Sequence, residues 1–275
     1  LNKSVIGTDL RYMQKETYDH MVESNPDCTF VDVTDLLYQL RSVKYPQEIT
    51  SLRNAALLFE SGVTASINNL NPNDSAQDIK HQYMAGVISH VLSDRSLGEY
   101  SGSFGFVSAG SGSQMAFGGN QQLDSGDLIK FDCGATLNGY PSDCGRTFVC
   151  GKATQGQKKI YEALMETHQT IRSMMKPGIK LSDIARTAEQ QVRRSGFPNY
   201  TRGHFGHSIG LDDFVEEPPF IAVTDNSILV PGMVMCIETP YYSKTLGSIQ
   251  IEDMVLITET GHENFNTMSY ELNEI

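Results

Sequence analysis

The reading of the fold turns on Leu123-Asp-Ser-Gly-Asp-Leu-Ile-Lys-Phe-Asp132-Cys-Gly-Ala-Thr-Leu-Asn-Gly-Tyr-Pro-Ser-Asp143-Cys-Gly-Arg-Thr147. Leu128 to Phe131 is an apolar run broken only by Lys130, and it ends in a carboxylate, Asp132. Asn138-Gly139 predicts a tight turn between two such runs. The second run, Tyr140 to Cys150, carries Asp143 just after the turn. An antiparallel hairpin then holds Asp132 and Asp143 near each other on neighbouring strands. Two buried acids side by side repel, so they need a shared proton or a cation between them. The competing reading is a pair of turn-flanking aspartates that cap loops.

A second copy of the pattern separates the two. Leu229-Val-Pro-Gly232-Met-Val-Met-Cys-Ile-Glu238-Thr-Pro follows Leu123-Asp-Ser-Gly126-Asp-Leu-Ile-Lys-Phe-Asp132-Cys-Gly at a constant offset of 106 residues. Each reads leucine, two residues, glycine, an apolar strand, then a carboxylate. Upstream, Asn71-Pro72 with Ser75 and Asp78-Ile79 is echoed by Lys176-Pro177 with Ser182 and Asp183-Ile184. A repeat this long is not a solenoid unit. It predicts a duplicated half-domain, two pseudo-symmetric lobes closing over one site, with Asp132 and Glu238 as symmetry mates. Packing alone does not explain that.

A chain of 275 residues can bury one large core, or a main domain with an accessory piece. The excess of 33 acidic over 21 basic residues argues against nucleic acid or an anionic membrane as partner. It also raises the odds of carboxylates gathered for a cation. Cys28, Cys133, Cys144, Cys150 and Cys236 are odd in number and irregularly spaced, which reads as reduced thiols in a cytoplasmic protein. Cys133 and Cys144 face one another across the hairpin as free buried thiols on this reading. No apolar run reaches membrane-spanning length and no signal peptide is visible. The chain starts at Leu1 rather than Met, which reads as a trimmed fragment.

Taken in order, residues 1–43 read as the tail of another domain: a helix over Thr17–Ser24, a strand over Thr29–Val33, and a helix over Asp35–Arg41. Pro46 followed by Glu48 opens a long amphipathic helix to about Asn69, with Ile49, Leu52, Ala55, Ala56 and Phe59 on one stripe. Ser75 caps a second helix to about Leu92, with Asp78 completing a capping box. Leu97–Asn120, rich in glycine and serine, reads as loop plus a strand from Phe104 to Ala109. It is either a substrate-facing loop or plain solvated surface. The second half repeats the scheme with helices over Thr154–Met175 and Ser182–Ser195. Strands follow near His207–Leu211, Val234–Thr239 and Ile249–Thr258.

The remaining polar residues of interest lie in this half. Gly203-His204-Phe205-Gly206-His207-Ser208-Ile209-Gly210 sets two histidines among small residues, in a chain with seven. A lone histidine is usually a surface or satisfied core residue; a pair carries more weight. Glu252 falls in a strand, Ser248 to Ile257, that is otherwise apolar on that face, where an acid is disfavoured unless paired.

These residues together resemble the metallopeptidases of the pita-bread fold: aminopeptidase P, prolidase and methionine aminopeptidase, with creatinase as a relative. The motifs are Phe-Asp132-Cys-Gly, Ser-Asp143-Cys-Gly-Arg-Thr, Gly-His207-Ser-Ile-Gly, Glu238 after Pro231-Gly232-Met233, and Gln-Ile-Glu252-Asp. The resemblance spans Val43 to the C-terminus, and residues 1–43 resemble the end of an N-terminal α/β domain of the prolidase and creatinase branch. It implies an α+β pita-bread catalytic domain over residues 44–275, a homodimer, and five metal ligands, Asp132, Asp143, His207, Glu238 and Glu252. By resemblance, Asp132 binds one divalent ion, His207 and Glu238 the other, and Asp143 and Glu252 bridge them. Such an oxygen-rich set suits manganese, cobalt or zinc. Paired ions activate a bridging hydroxide and polarise a carbonyl. Glu238 is then the proton shuttle to the leaving nitrogen, and Arg146 and Thr147 support the ligands.

The chain departs from the family in two places. The family has a histidine before the first ligand, where this chain reads Gln114-Met-Ala-Phe117-Gly-Gly, and another just before Glu-x-Pro, where Val215 stands. Those histidines contact the substrate, so Phe117 and Val215 mark the altered pocket. His204 either substitutes for one of them or serves as a structural imidazole. The leading reading is a dinuclear hydrolase of the X-Pro aminopeptidase or dipeptidase type acting on a small peptide. A second keeps the metal site but takes another small amide or amino-acid derivative. A third is a non-catalytic binding module, which has no need to keep five clustered ligands.

Overall fold

Asn138 and Gly139 both adopt positive φ, 52° and 82°, and fold the chain back so that Leu137 pairs with Tyr140. That is the backbone a two-residue hairpin turn demands. The rest follows from this hairpin and its copy. A computed structural model describes residues 3–110, 122–211 and 216–275. In chain order its elements are β1 (Val5–Thr8), α1 (Lys15–Ser24), β2 (Thr29–Asp32), α2 (Thr34–Ser42), α3 (Pro46–Asn68), α4 (Ala76–Ser93), β3 (Tyr100–Gly105), β4 (Ser108–Ala109), β5 (Leu128–Leu137), β6 (Tyr140–Pro141) and β7 (Cys144–Val149). The second half holds α5 (Gln155–Met174), α6 (Leu181–Arg194), β8 (Gly206–Ser208), β9 (Glu217–Phe220), β10 (Val234–Glu238), β11 (Tyr241–Ser243), β12 (Gly247–Ile249), β13 (Glu252–Ile257), β14 (His262–Asn264) and β15 (Asn273–Glu274).

One sheet carries most strands, in the order β3-β5-β7-β13-β10-β8-β9, with β4 and β6 added to β5, β15 to β7 and β14 to β13. The order reads outward in both directions from the β7–β13 seam. β5 and β7 form the first hairpin, β10 and β13 the second, and each half brings a pair of antiparallel helices, α3 with α4 and α5 with α6. Asp132 and Glu238 occupy matching places on β5 and β10, as the 106-residue offset predicts. This is the α+β pita-bread arrangement with its internal pseudo-twofold repeat.

Each helix pair seals its own core. Leu52, Phe59 and Val63 of α3 meet Ile79 and Tyr83 of α4 over Ile129 and Phe131. Ile160 and Leu164 of α5 meet Ile184 and Val192 of α6 over Met235, Ile237 and Val255. The helix starts are set as the sequence indicates. Ser75 and Asp78 close a reciprocal capping box, with Ser75 N donating to Asp78 Oδ2 at 2.9 Å and Asp78 N to Ser75 Oγ at 3.2 Å. Pro46 opens α3 while Tyr45 N donates to Glu48 Oε2. Near the N-terminus, β1 and β2 form a separate parallel pair joined through α1. Among the described residues, no helix is long and apolar enough to cross a membrane.

Three strand expectations need correction. The strand expected over Phe104–Ala109 begins earlier, at Tyr100, and is interrupted after Gly105, although Gly105 opposite Cys133 and Ser108 opposite Lys130 keep one register on β5. The strand expected over Ser248–Ile257 is two strands. Gln250 leaves the ladder because its N–H is bonded to Thr147 Oγ1, which in turn donates to Gln250 O. Asp143 lies in the gap between β6 and β7 rather than in a strand. There Ser142 Oγ takes Ala135 N–H at 3.0 Å in place of a backbone partner. Cys133 and Cys144 do pair across the hairpin, both buried and both free.

Gly134 sits where that break brings the backbones together. A Cβ at this position would lie 1.8 Å from Ser142 O and 2.5 Å from the Phe104 ring. Gly134→Ala is therefore expected to lower stability by about 2 kcal/mol or more, measured as a drop in the urea midpoint at unchanged slope. An unchanged midpoint would show that the hairpin has room the structure does not.

Candidate metal centre

Direct antiparallel partners project their side chains to the same face of a sheet. Asp132 is paired with Gly145, Gly145 with Glu252, and Glu252 with Glu238. One row across β5, β7, β13 and β10 therefore carries three carboxylates with a glycine between the first two. Asp143, from the break before β7, brings a carboxylate oxygen within 4.8 Å of oxygens of Asp132 and Glu252. His207, opposite Cys236 on β10, approaches from the far side. Its Nε2 is 3.8 Å from both Asp143 Oδ2 and Glu252 Oε1. The five side chains named from the sequence converge on one place.

Burial at this spot sets their protonation. Asp143 is pushed well above the ordinary carboxylate range by burial and then by the charges of Glu252, Asp132 and Glu238. Burial also raises Glu252, to about 7, with Glu238 and Asp132 adding to the rise against the help of His207. For His207, burial disfavours the cation but Glu252 outweighs it, and the imidazole is raised to about 9. Glu238 behaves oppositely: burial opposes its charge, yet the His204 ring and the Arg202 guanidinium hold it down to about 2. Asp143 Oδ1 is buried with no hydrogen-bond partner. A crowded set of acids beside an imidazole, with Asp143 Oδ2 toward His207 and Asp143 Oδ1 unpartnered, fits divalent cations of the oxygen- and nitrogen-preferring kind.

The surroundings orient this set. Gln250 Nε2 bridges Glu238 Oε2 at 3.1 Å and Glu252 Oε2 at 3.0 Å. Arg146, buried, donates to Glu252 O at 2.9 Å and to Asp253 Oδ1 at 2.6 Å, and Tyr270 also donates to Asp253. Thr147 holds Gln250 as described. Both residues thus brace the strand that presents Glu252. His204 Nδ1 is 3.1 Å from Glu238 Oε1, and its other nitrogen is 3.5 Å from Glu216. Phe117 and Val215 lie outside the described residues, as does most of the glycine-rich loop. The sequence reasoning missed the roles of Gln250, Asp253, Arg202 and Lys130. Lys130 alone left a signal, as the one break in the apolar run from Leu128 to Phe131. Cys236 Sγ also comes within 4.8 Å of His207 and Glu252. Burial first, then the nearby acids, hold its thiol protonated, and it points to Asp143 O at 3.6 Å.

Comparison with known proteins bears on the family and the fold. The family model for metallopeptidase family M24 matches residues 50–259. An Xaa-Pro dipeptidase of Pyrococcus furiosus is 28% identical over 246 residues, covering 88% of this chain and 68% of that protein. The solved prolidase of Pyrococcus horikoshii superposes with a TM-score of 0.88 at 24% identity, over 98% of this chain and 76% of that one. An Xaa-Pro dipeptidase from Bacillus anthracis gives a TM-score of 0.89 at 24% identity, over 99% of this chain and 75% of that one. At that identity the two structures speak for the fold.

Below pH 7 the cluster carries protons that a cation must displace, because Glu252 titrates near 7 and His207 near 9. Divalent-ion affinity is therefore expected to fall as pH drops from 8 to 6, with proton release on binding. Calorimetry of manganese(II) binding in buffers of different ionisation enthalpy reads that release. A binding enthalpy independent of buffer would contradict it.

Proposed function

The chain belongs to metallopeptidase family M24, and from that premise we propose that it hydrolyses small peptides of the X-Pro type, as an aminopeptidase or dipeptidase, using divalent metal ions held by Asp132, Asp143, His207, Glu238 and Glu252. The observation that carries the reading is the meeting of Asp132, Asp143 and His207 around Glu252, with Glu238 opposite Glu252 and linked to it through Gln250, and with Asp143 Oδ1 buried and unpartnered. The donor set suits manganese, cobalt or zinc, and has carboxylates enough to span two ions. When bound, such ions make water more acidic and polarise a substrate carbonyl.

The protein's own residues supply the rest. Glu238, ionised beside His204 and Arg202, receives a proton from attacking water and passes it to the leaving nitrogen. His204 keeps the Glu238 carboxylate turned toward the centre, and Gln250 fixes the spacing of Glu238 and Glu252. Arg146 and Thr147 hold the β13 end in place, so that Glu252 keeps its orientation. Five free cysteines support a reducing, cytoplasmic setting, and the homodimer rests on family resemblance. A second reading, hydrolysis of another small amide or amino-acid derivative, is favoured by one observation: no histidine occurs between His90 and His168, where the family places a substrate-contacting one.

A panel of X-Pro dipeptides and tripeptides, assayed with added metal and after chelation, tests the peptidase reading. Turnover that chelation abolishes and manganese or cobalt restores is expected. Absence of metal-dependent turnover on every member sinks it and leaves the amide reading. Glu238→Gln is expected to keep the fold and to cut kcat by about 10²–10⁴; an unaffected turnover number refutes the proton-carrying role.

A further inference from the structure

Lys44 lies in the short link between α2 and α3, yet its side chain is 1% exposed. The link runs antiparallel to the start of β10: Val43 bridges Met233, and Lys44 N donates to Gly232 O at 2.9 Å. From there the side chain reaches inward. Nζ donates to Ser208 Oγ at 3.0 Å and to Ser42 O at 3.2 Å, and lies 3.7 Å from Glu217 Oε1. Arg41, in the last turn of α2, donates to the other oxygen of Glu217 at 2.6 Å. Glu217 in turn packs against the end of Gly206-His-Ser-Ile-Gly210, where a Cβ on Gly210 would come within 2.4 Å of Oε1. A buried ammonium and a buried carboxylate persist by pairing. What the pair grips is β8.

His207 is the middle residue of that short strand. Its imidazole is turned by its own neighbour: Nδ1 donates to Ser208 O at 2.9 Å, which leaves Nε2 facing Asp143 and Glu252. The ring is therefore only as well aimed as Ser208 is fixed. On one side β10 secures Ser208, opposite Met235. The other side is weaker. There β9 sets Phe220 opposite His207 and Glu217 opposite Ser208, and the residues between, Pro218 and Pro219, have no N–H to give a ladder. Lys44 supplies the hold on Ser208 that this edge strand does not.

Resting on the metal reading given above, we propose that Lys44 is a positioning residue for His207: from outside both hairpins it clamps Ser208 and Glu217, and so fixes the direction in which the imidazole presents Nε2 to a divalent ion. It touches neither ion nor substrate. The link ahead of α3 is then part of the machinery of the centre. Were Lys44 only a staple between α2 and the sheet, its loss would lower stability and leave the aim of His207 as it was.

The test is cobalt(II) binding to the metal-depleted full chain, read by calorimetry and by proton NMR, for the natural protein, Lys44→Met, Ser208→Ala and the double variant. An imidazole bound to cobalt(II) gives a strongly shifted, solvent-exchangeable N–H resonance, assigned to His207 by its absence from His207→Asn. Lys44→Met and Ser208→Ala are each expected to weaken cobalt(II) binding by about 10–100-fold and to displace that resonance. The double variant is expected to bind no more weakly than Lys44→Met, because the second change removes a contact already lost. Natural affinity with an undisplaced resonance in a folded Lys44→Met overturns the inference, and so do losses that add in the double variant. If Lys44→Met does not fold, Ser208→Ala decides alone, and natural affinity and resonance there overturn it equally. Failure of the natural protein to bind cobalt(II) is a different result, which removes the metal reading itself.

Discussion

Like charges at close quarters are the constraint on which this architecture depends. Asp132, Glu252 and Glu238 share one row of the sheet, with Asp143 and His207 leaning in from irregular or neighbouring strands. An uncompensated group of this kind opposes folding, since each buried carboxylate raises the cost of ionising the next. Everything nearby moderates that cost. Gln250 spans two of the acids, Arg146 neutralises Asp253 behind the row, and Lys130 and Arg202 stand at its flanks. The framework tolerates this concentration because two separate apolar cores, one under each helix pair, carry the stability.

Much of this was legible in the residues. The turn at Asn138-Gly139 and the capping box at Ser75 and Asp78 are local features, and local chemistry decides them. The repeat offset placed Asp132 and Glu238 as mates because a duplicated topology preserves register. What failed was strand continuity. Side-chain hydroxyls replaced backbone partners at Ser142 and Thr147, and nothing in an alternating pattern announces that a serine or threonine will do so. Asp143 and Glu252 both owe their aim to those interruptions.

For the centre itself, the sequence motifs brought together five side chains scattered over 121 positions, from Asp132 to Glu252 inclusive. Their supporting residues were harder to see. Asp253 looks like a mere neighbour of Glu252 until the fold sets Arg146 and Tyr270 against it. Arg202 acquires its relation to Glu238 only through the chain path between α6 and β8. Such roles arise from long-range contacts, which spacing along a strand does not encode.

Gly145 and Glu252 hold corresponding stations, each directly opposite the leading acid of its own hairpin, and they meet across the seam. A side chain at 145 would strike Gln250 Cγ at 2.2 Å and crowd Glu252 Cβ at 3.1 Å. Near a symmetry axis, two identical bulky groups would compete for the same volume. Self-association of identical half-length polypeptides could not put glycine in one copy and glutamate in the other. Covalent linkage of the copies lifts that prohibition, letting each diverge at the meeting point, and an unsymmetrical reaction centre becomes attainable within a nearly symmetrical frame.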